Sequence, residues 1–355
     1  MSGSQKAEGR RQKSLGSGAN LCPLPSALCP SRVALLVDRE TRVDGDPSLT
    51  SDAALHHAPM EYYIGKALRE LRYDVVVIPC ISGKQLIRAL GDAAPDVAFN
   101  ATEHMFGRRT ADIHIPALLE MLRLPYTGAT AATLLRCRDK AFSKSLAAMA
   151  GVRVPAFALV AIGGSVPAAL PPFPLVVKPA SRDSSEGVSA RSFVRTRREL
   201  ERQVDIVHRR YRDAAIVEEF IDGVDVYVMA IEGRTLQLRP PQELRVNAGG
   251  ARSMATYHVK HDDAYRERWG VATGPAKLDG KTARALARDV RRLWPLLQLR
   301  DYARLDFRLT PEGVLYFIEA NANPGFSPVS RSDDWSWDDY RAAVKTVVAN
   351  AVRRS

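Results

Sequence analysis

Short apolar runs alternate with amphipathic segments in the first third of the chain. The predicted elements are strands at 33–37, 75–78 and 97–99 and helices at 60–71, 85–90 and 115–122. Because strands that alternate with helices form parallel sheets covered on both faces, this part is predicted to be an α/β unit. No GxGxxG motif follows the first strand, so a dinucleotide site is not expected.

After Gly128 the pattern changes. A helix is predicted at 139–150, and strands are predicted at 175–178, 215–221 and 225–231, with two more towards the end of the chain. Strands that follow one another without long helices favour an antiparallel sheet, so this part is predicted to be an α+β unit. The change predicts a domain boundary near residue 125. Residues 1–31 are rich in Gly, Ser, Lys, Arg and Pro and are predicted to be a flexible basic arm outside the fold.

The chain has 355 residues, 46% of them hydrophobic, and a formal net charge of +11, which is typical of a basic globular protein. In the predicted helix 284–300 the arginines share one face and the apolar side chains the other, as on a solvated helix. No aromatic residues interleave with the arginines, so nucleic acid is not an expected partner. No apolar run approaches the roughly 18 residues of a membrane span, so no membrane association is expected. Four cysteines without CxxC spacing fit a reducing, cytoplasmic environment.

Charged residues alternate along two apolar segments near the end of the chain, which are predicted to form a hairpin. Side chains of a strand point alternately to its two faces, so Arg304, Asp306 and Arg308 share one face. Glu319 and Asn321 share one face of the returning strand for the same reason. The hairpin therefore gathers two acids, an amide and two arginines.

The turn decides which acids face each other. If residues 312–313 form a two-residue loop, Asp306 lies opposite Glu319, with Cβ atoms about 5 Å apart. Such carboxylates repel each other, and a bound cation relieves the repulsion. Because the donors are hard oxygens, Mg²⁺ or Mn²⁺ is favoured over zinc. The alternative is that Arg304 and Arg308 neutralise the acids in a surface salt-bridge ladder.

Two further segments have the character of a nucleotide site. Lys178 ends an apolar strand and is followed by a small, polar loop at 180–189, a combination that can hold phosphates with an ammonium group and backbone N–H groups. The crossover from Glu218 to Ile221 can offer main-chain groups to an adenine edge. His104 follows a strand end in the N-terminal part and is a candidate for substrate contact.

In this order these segments resemble the ATP-grasp superfamily, and specifically the D-alanine–D-alanine ligases and their relatives, over about residues 98–330. The motifs that carry the resemblance are Pro116-Ala117-Leu118-Leu119-Glu120, Leu124-Pro125-Tyr126-Thr127-Gly128, Asp139-Lys140, Lys178-Pro179, Ser184-Ser185-Glu186-Gly187, Glu218-Glu219-Phe220-Ile221 and Glu319-Ala320-Asn321-Ala322-Asn323-Pro324-Gly325. The resemblance implies an N-terminal parallel α/β (pre-ATP-grasp) domain at 32–125 and an ATP-grasp domain at 126–355. ATP would lie between a small central α+β subdomain, about 140–222, and a C-terminal α+β subdomain with an antiparallel sheet, about 223–355.

The resemblance also implies roles for individual residues in binding ATP and two Mg²⁺ ions. The implied phosphate contacts are Lys140, Lys178 and, from a mobile loop, Lys260, with Ser184 and Ser185 in a loop over the phosphates. The implied adenine contacts are Glu218, Glu219, Phe220 and Ile221, and Asp225 takes the ribose position, where the family usually has Glu. The implied metal ligands are Asp306, Glu319 and Asn321.

For the reacting substrates, the resemblance implies that Arg304, Gly325 and Ser330 handle the carboxylate and the tetrahedral intermediate. Arg304, Ser184 and Lys260 are then the candidate catalytic residues. The segment that follows the first strand lacks the Gly-Gly and Glu-His type motifs with which D-alanine ligases bind the first amino acid. The amino-acid half of the predicted site therefore departs from the family, whereas the nucleotide half does not.

The expected function is that of a carboxylate–amine ligase that acts through an acyl phosphate on an amino acid or a similar small substrate. One alternative is a D-alanine–D-alanine ligase proper. Another is a sensor or scaffold that binds MgATP without catalysis, which the set of metal ligands disfavours. The expected partners are small molecules, and a homodimer is expected by resemblance alone.

Overall fold

The computed structural model of the protein describes residues 30–39, 41, 58–182, 185–246, 259, 262–330 and 333–354. Most of the predicted arm at 1–31 lies outside these residues. At its end, the backbone N–H of Ser31 donates to Asp96 Oδ2 at 2.8 Å. Within the described part of the chain, no helix combines the length and the apolar character that crossing a membrane requires.

A three-stranded parallel sheet with the strand order β2-β1-β3 forms the N-terminal part. Its elements are β1 (Arg32–Val37), α1 (Met60–Glu70), β2 (Asp74–Pro79), α2 (Gly83–Ala93), β3 (Val97–Asn100) and α3 (His114–Met121). The predicted strands and helices are confirmed to within three residues at either end. The α2 helix begins after Ser82, whose hydroxyl accepts a hydrogen bond from the backbone N–H of Gln85 and so satisfies one free donor of the first turn.

A four-stranded antiparallel sheet with the order β4-β7-β5-β6 follows. The elements are α4 (Ala131–Arg138), α5 (Lys140–Met149), β4 (Phe157–Val160), β5 (Leu175–Pro179), β6 (Phe193–Val194), α6 (Arg197–Ile206) and β7 (Ala215–Glu219). The predicted helix at 139–150 is α5, and its N-cap is Asp139, which accepts from the backbone N–H of Phe142 at 2.9 Å. The α4 helix was not predicted, because its apolar and polar residues have little periodicity.

A six-stranded antiparallel sheet forms the C-terminal part, with the order β11-β10-β8-β12-β13 and β9 paired with β8. The elements are β8 (Val224–Glu232), β9 (Leu236–Leu238), β10 (Gln242–Arg245), α7 (Asp263–Arg268), β11 (Ala272–Pro275), α8 (Gly280–Leu296), β12 (Tyr302–Leu309), β13 (Leu315–Asn321), β14 (Val329–Ser330), β15 (Asp333–Asp334) and α9 (Trp337–Arg353). The predicted face of α8 is confirmed, because Leu286, Val290 and Leu293 are buried with Phe307 and Phe317. The arginines of α8 are exposed.

The apolar cores do not follow the order of the chain. The α9 helix packs on α1 and β3, so that Val344 and Val347 share a core with Val33, Leu35 and other residues of the N-terminal sheet. The last helix of the chain therefore covers one face of the first sheet. This packing holds the N-terminal part against the loop that follows β13.

Candidate active site

A cleft between the four-stranded and six-stranded sheets brings most of the predicted nucleotide residues together. Its lining includes Lys140 of α5, Lys178 of β5, Glu218 and Glu219 of β7, Phe220, Ile221, Asp225 of β8, Asp306 of β12 and Glu319 of β13. Ser185 lies at the same cleft, with a positive backbone φ of 61°. Ser184 and Lys260 lie outside the described residues, so their predicted roles stay predictions.

The hairpin of β12 and β13 places Asp306 directly opposite Glu319, as predicted. The predicted two-residue turn is wrong: the N–H of Thr310 donates to Val314 O at 3.0 Å, which leaves a three-residue loop closed by Gly313 with a φ of 79°. This loop alone would place Ile318 opposite Asp306. A β-bulge between the pairs Asp306–Glu319 and Phe307–Phe317 leaves Ile318 without a partner on β12 and restores the predicted pairing.

Each of the two facing carboxylates has a cation beside it. Arg304 Nε donates to Asp306 Oδ1 at 2.8 Å, and Lys140 Nζ lies 3.4 Å from Glu319 Oε2. The Asp306 carboxylate outweighs the effect of burial and raises the pKa of Arg304 above its usual value. The alternative of a surface ladder fits neither arginine: Asp306, the partner of Arg304, is buried, and Arg308 is itself buried and pairs with Asp225 at 3.0 Å.

Two lysines and one carboxylate form a buried cluster at the base of the cleft. Glu218 is 3% exposed, and its carboxylate lies 3.0 Å from Lys178 Nζ and 3.5 Å from Lys144 Nζ. Burial alone raises the pKa of Glu218, but Lys144 and Lys178 outweigh it and hold the pKa below its usual value. Glu218 is therefore ionised at neutral pH.

Lys144 is the residue of this cluster that the sequence analysis missed. Its side chain is fully buried, and its Nζ donates to the main-chain carbonyl of Ile318 at the bulge. Burial lowers the pKa of Lys144 to about 8, against the opposing effect of Glu218. A signal was available in the sequence, since Lys140 and Lys144 are four residues apart and therefore lie on one face of the predicted helix.

Asp225 has one oxygen engaged and one without a partner. Its Oδ1 pairs with Arg308, whereas its Oδ2 is buried and has no hydrogen-bond partner within the described part of the chain. Because a buried acceptor without a donor is unfavourable, this atom suits a ligand that donates hydrogen bonds. The hydroxyls of a ribose are such donors, in agreement with the predicted role of Asp225.

Two of the predicted substrate residues, Arg304 and Gly325, lie on the hairpin and on the loop that follows it. Arg304 is paired with Asn321 across the hairpin, and Asn321 Oδ1 accepts from the backbone N–H of Asn323 at 3.3 Å. Gly325 lies against α1, because a Cβ atom on it would be 4.0 Å from Met60 Sδ. The loop from Asn321 to Gly325 thus connects the facing carboxylates of the hairpin to the N-terminal part.

The other two predicted substrate residues are Ser330 and His104, and the structure describes the side chain of His104 but not that of Ser330. The backbone of Ser330 pairs with that of Asp333, and the Ser330 side chain lies outside the description. His104 follows β3 and points at Asp38, with 3.0 Å between His104 Nδ1 and Asp38 Oδ2. His104 is not part of the cleft lining, so its predicted substrate contact would have to occur on the N-terminal side.

The oxygen donors of the hairpin fit a magnesium ion. The protein donors are two carboxylates, Asp306 and Glu319, with the amide of Asn321 nearby. Within the described ranges, no cluster of three or more His, Cys, Asp or Glu side chains has a metal-binding arrangement. Mg²⁺ is characteristically held by one or two carboxylates together with phosphate and water oxygens. Zinc, in contrast, prefers a larger set of His and Cys ligands.

Comparison with known proteins agrees with this geometry. The model of the family described as D-ala D-ala ligase C-terminus matches residues 166–347. A D-alanine–D-alanine ligase of Aquifex aeolicus is 30% identical over 269 residues, which are 75% of this chain and 84% of that protein. The uncharacterized protein y4sG of Sinorhizobium fredii is 31% identical over 270 residues, 74% of this chain and 77% of that protein.

The likeness extends to solved structures. A D-alanine–D-alanine ligase from Bacillus anthracis, solved in complex with ATP, superimposes with a TM-score of 0.67 at 18% sequence identity and covers 91% of this chain and 98% of its own. With the cleft between the two antiparallel sheets, this likeness establishes the ATP-grasp fold. The protein is an ATP-using ligase that forms carbon–nitrogen bonds. Within that class, the chain belongs to the D-alanine–D-alanine ligase family.

Proposed function

We propose that the protein joins the carboxylate of an amino acid, or of a similar small molecule, to an amine through an acyl phosphate. The γ-phosphoryl group of ATP is transferred to a carboxylate oxygen and ADP leaves. The amine nitrogen then attacks the acyl carbon and loses a proton, and phosphate leaves. The observation that carries the proposal is the pair of facing carboxylates, Asp306 and Glu319, at a cleft that also contains Lys140 and Lys178.

The first step brings two anions together, and the cleft supplies the opposite charge. Lys140 and Lys178 lie on the cleft wall, where each can move from its present carboxylate partner to a phosphate oxygen. Asp306, Glu319 and Asn321 would hold two Mg²⁺ ions, with Mn²⁺ as a substitute, and bound metal would neutralise the charge that develops on the phosphates. The predicted roles of Ser184, Ser185 and Lys260 around the phosphates belong to this proposal.

In the second step an oxyanion forms at the attacked carbon. Arg304 is placed to stabilise it, because its guanidinium lies beside Asp306 and over the Tyr227 ring, next to Asn321. The same guanidinium suits recognition of a substrate carboxylate, and the predicted part of Gly325 in that recognition belongs to the proposal. The identity of the carboxylate and of the amine depends on the N-terminal side of the site, where Asp38, Glu103 and His104 gather.

A D-alanine–D-alanine ligase proper is the second candidate. It is favoured by the relative from Aquifex aeolicus that carries this name. It is disfavoured by the segment after β1, which lacks the family's motifs for the first amino acid. The proposal includes a cytoplasmic location, where ATP is available, and small molecules as the partners in place of nucleic acid or membrane; a homodimer stays a prediction.

The test is the release of ADP and phosphate from MgATP with a panel of D- and L-amino acids and small carboxylic acids, each with and without an added amine. We expect turnover with particular pairs, and we expect Glu319→Ala to abolish it. The matched control is Glu312→Ala, which removes an exposed acid from the turn of the same hairpin and should leave turnover unchanged. Turnover with D-alanine alone would select the second candidate, whereas MgATP binding without any turnover would favour a sensor or scaffold.

A further inference from the structure

Lys144 joins the two sheets that form the cleft. It lies on α5, between the Ile318 carbonyl of β13 and the Glu218 carboxylate of β7. The first group belongs to the six-stranded sheet and the second to the four-stranded sheet. Both Ile318 and Glu218 line the cleft, whereas Lys144 does not. Lys144 therefore contacts a residue of each cleft wall from the protein interior.

The burial of this lysine is not explained by packing. Lys144 is 0% exposed, and the other buried residues of α5 are Lys140, Ser143 and Ala147, none of which carries a negative charge. A side chain such as methionine would fill a similar volume without the cost of removing an ammonium group from water. The charge and the donors of Lys144 therefore serve the groups that it contacts.

The carbonyl that Lys144 contacts is the one that the bulge displaces. Because Ile318 has no partner on β12, its carbonyl is outside the regular hydrogen-bond ladder with that strand. A carbonyl that is partly withdrawn from water benefits from a donor, and Lys144 Nζ supplies it. The next residue is Glu319, so this hydrogen bond fixes the backbone from which the metal carboxylate projects.

The other contact orients the opposite wall. Glu218 has Lys178 at 3.0 Å on one oxygen and Lys144 at 3.5 Å on the other. Lys178 and Lys140 are the lysines expected to bind phosphates, and both are exposed to the cleft. Lys144, in contrast with Lys140 and Lys178, does not line the cleft. We therefore expect it to keep its contacts with Ile318 and Glu218 when ATP binds.

From these contacts we propose that Lys144 is a positioning residue of the ligase, which holds Glu319 in register with Asp306 and ties this metal pair to Glu218 across the cleft. Lys144 does not touch the reacting groups. It acts through the main chain at Ile318 and through the carboxylate of Glu218. The inference rests on the proposed metal site at Asp306 and Glu319.

The test measures metal binding and not activity. Mn²⁺ is titrated into the full-length protein with one equivalent of a non-hydrolysable ATP analogue, free Mn²⁺ is followed by its electron paramagnetic resonance signal, and a titration of the analogue alone gives the Mn²⁺ that it binds without protein. We expect Lys144→Met to weaken Mn²⁺ binding by about tenfold or more, the range found when groups that orient metal ligands are removed. The matched control is Leu146→Ala, on the same helix but packed against the core beneath the six-stranded sheet, which should stay within about twofold of the wild type.

The possible results separate the two proposals. If the wild type itself binds no Mn²⁺ with the analogue, the metal site proposed at Asp306 and Glu319 is wrong. If the wild type binds and Lys144→Met binds equally well, the positioning role is wrong and the metal site stands. Should Lys144→Met lack a native near-ultraviolet circular dichroism spectrum, Lys144→Gln replaces it, since it keeps a neutral donor one bond shorter. We expect a smaller loss for Lys144→Gln, of about threefold, and an affinity equal to that of the wild type would again reject the positioning role.

Discussion

Asp301 and Arg354 form a bidentate ion pair, with both terminal nitrogens of Arg354 within 2.8 Å of the two oxygens of a carboxylate that is 0% exposed. The same carboxylate accepts the backbone N–H of Gly128 at 2.7 Å. Three distant segments therefore meet at Asp301: the loop between α3 and α4, the start of β12 and the end of α9.

This ion pair leads to a prediction about stability. Arg354→Met leaves the buried carboxylate of Asp301 with one donor, and breaking such a pair from one side typically costs about 3 to 5 kcal/mol. Because Arg354 is 32% exposed at its side chain, we expect a loss of unfolding free energy near the lower end, about 3 kcal/mol. Urea unfolding measures the loss. The control is Arg353→Met, at the adjacent exposed residue, for which we expect a change below about 0.5 kcal/mol. Equal losses of unfolding free energy for Arg354→Met and Arg353→Met would show that the ion pair with Asp301 does not stabilise the fold.

Arg304 leads to a prediction about catalysis. Removing a single donor to a developing oxyanion typically lowers kcat by about 10²- to 10³-fold, and we expect this loss for Arg304→Gln in the ligase reaction. The variant also removes a positive charge beside Asp306, which should not weaken binding of a divalent cation. Mn²⁺ affinity measured on the same variant therefore distinguishes the two effects. A lower kcat accompanied by equally weakened Mn²⁺ binding would contradict a role of Arg304 in stabilising the oxyanion. The control is Arg288→Gln, on the exposed face of α8, which should leave both quantities unchanged.

Asp225 leads to a prediction about nucleotide recognition. If the buried Oδ2 accepts from the ribose, the wild type should bind ATP about tenfold or more tightly than 2′,3′-dideoxy-ATP, since hydrogen bonds to charged groups contribute about 1.5 to 3 kcal/mol. In Asp225→Ala this ratio should fall towards 1. Calorimetric titration of both nucleotides into both proteins gives the ratio. Any general disturbance from the loss of the Asp225–Arg308 pair affects both nucleotides equally, so an unchanged ratio would exclude the ribose contact.

Glu61 leads to a prediction about pH. Burial, with smaller contributions from Asp38 and Glu103, raises the pKa of Glu61 from 4.5 to about 7. Between these values the unfolded chain releases a proton that the folded protein keeps, so stability falls as the pH rises from about 4.5 to about 7. The full effect is at most about 3 kcal/mol above this window.

The variant Glu61→Gln has no proton to release, so this dependence should disappear. We expect it to match the wild type in stability near the acid end of the window and to exceed it by about 2 to 3 kcal/mol at pH 8. Urea unfolding at a series of pH values measures the difference. Glu201→Gln, on the exposed side of α6, is the control, and parallel pH profiles for wild type and Glu61→Gln would refute the prediction.

The elements that the sequence predicted well are those whose pattern is local. Strands β1 to β3 are short apolar runs, and the hairpin of β12 and β13 alternates charged and apolar residues, so both could be read from periodicity. The pairing of Asp306 with Glu319 was predicted from a turn that the structure does not have. The longer turn shifts the register by one residue and the bulge at Ile318 shifts it back. Neither the turn length nor the bulge could be predicted from the alternation of charged and apolar residues.

The remaining features depend on contacts between distant segments. The partners of Lys144 come from β7 and β13, and nothing in the residues around Lys144 shows that they will meet. In the same way, the amphipathic pattern of α9 shows that one face will be buried but not that it will cover α1 and β3. Local patterns thus predicted the elements, and the resemblance to a family supplied the nucleotide residues, whose roles stay predictions. The contacts that support these residues from below required the tertiary structure.

The position of α9 also constrains the order in which the protein can fold. During synthesis, β1 to β3 leave the ribosome long before α9, and until then the face carrying Val33 and Leu35 is covered by α1 but lacks the part of its core that Val344 and Val347 supply. The first sheet therefore cannot complete its core until the C-terminal sheet and α9 have been made. We expect chains that stop before Trp337 to be prone to aggregation, and refolding of the whole chain to be slow, since it must close a contact between its two distant parts. We therefore expect the N-terminal sheet to reach its full native packing only after α9 has docked on it.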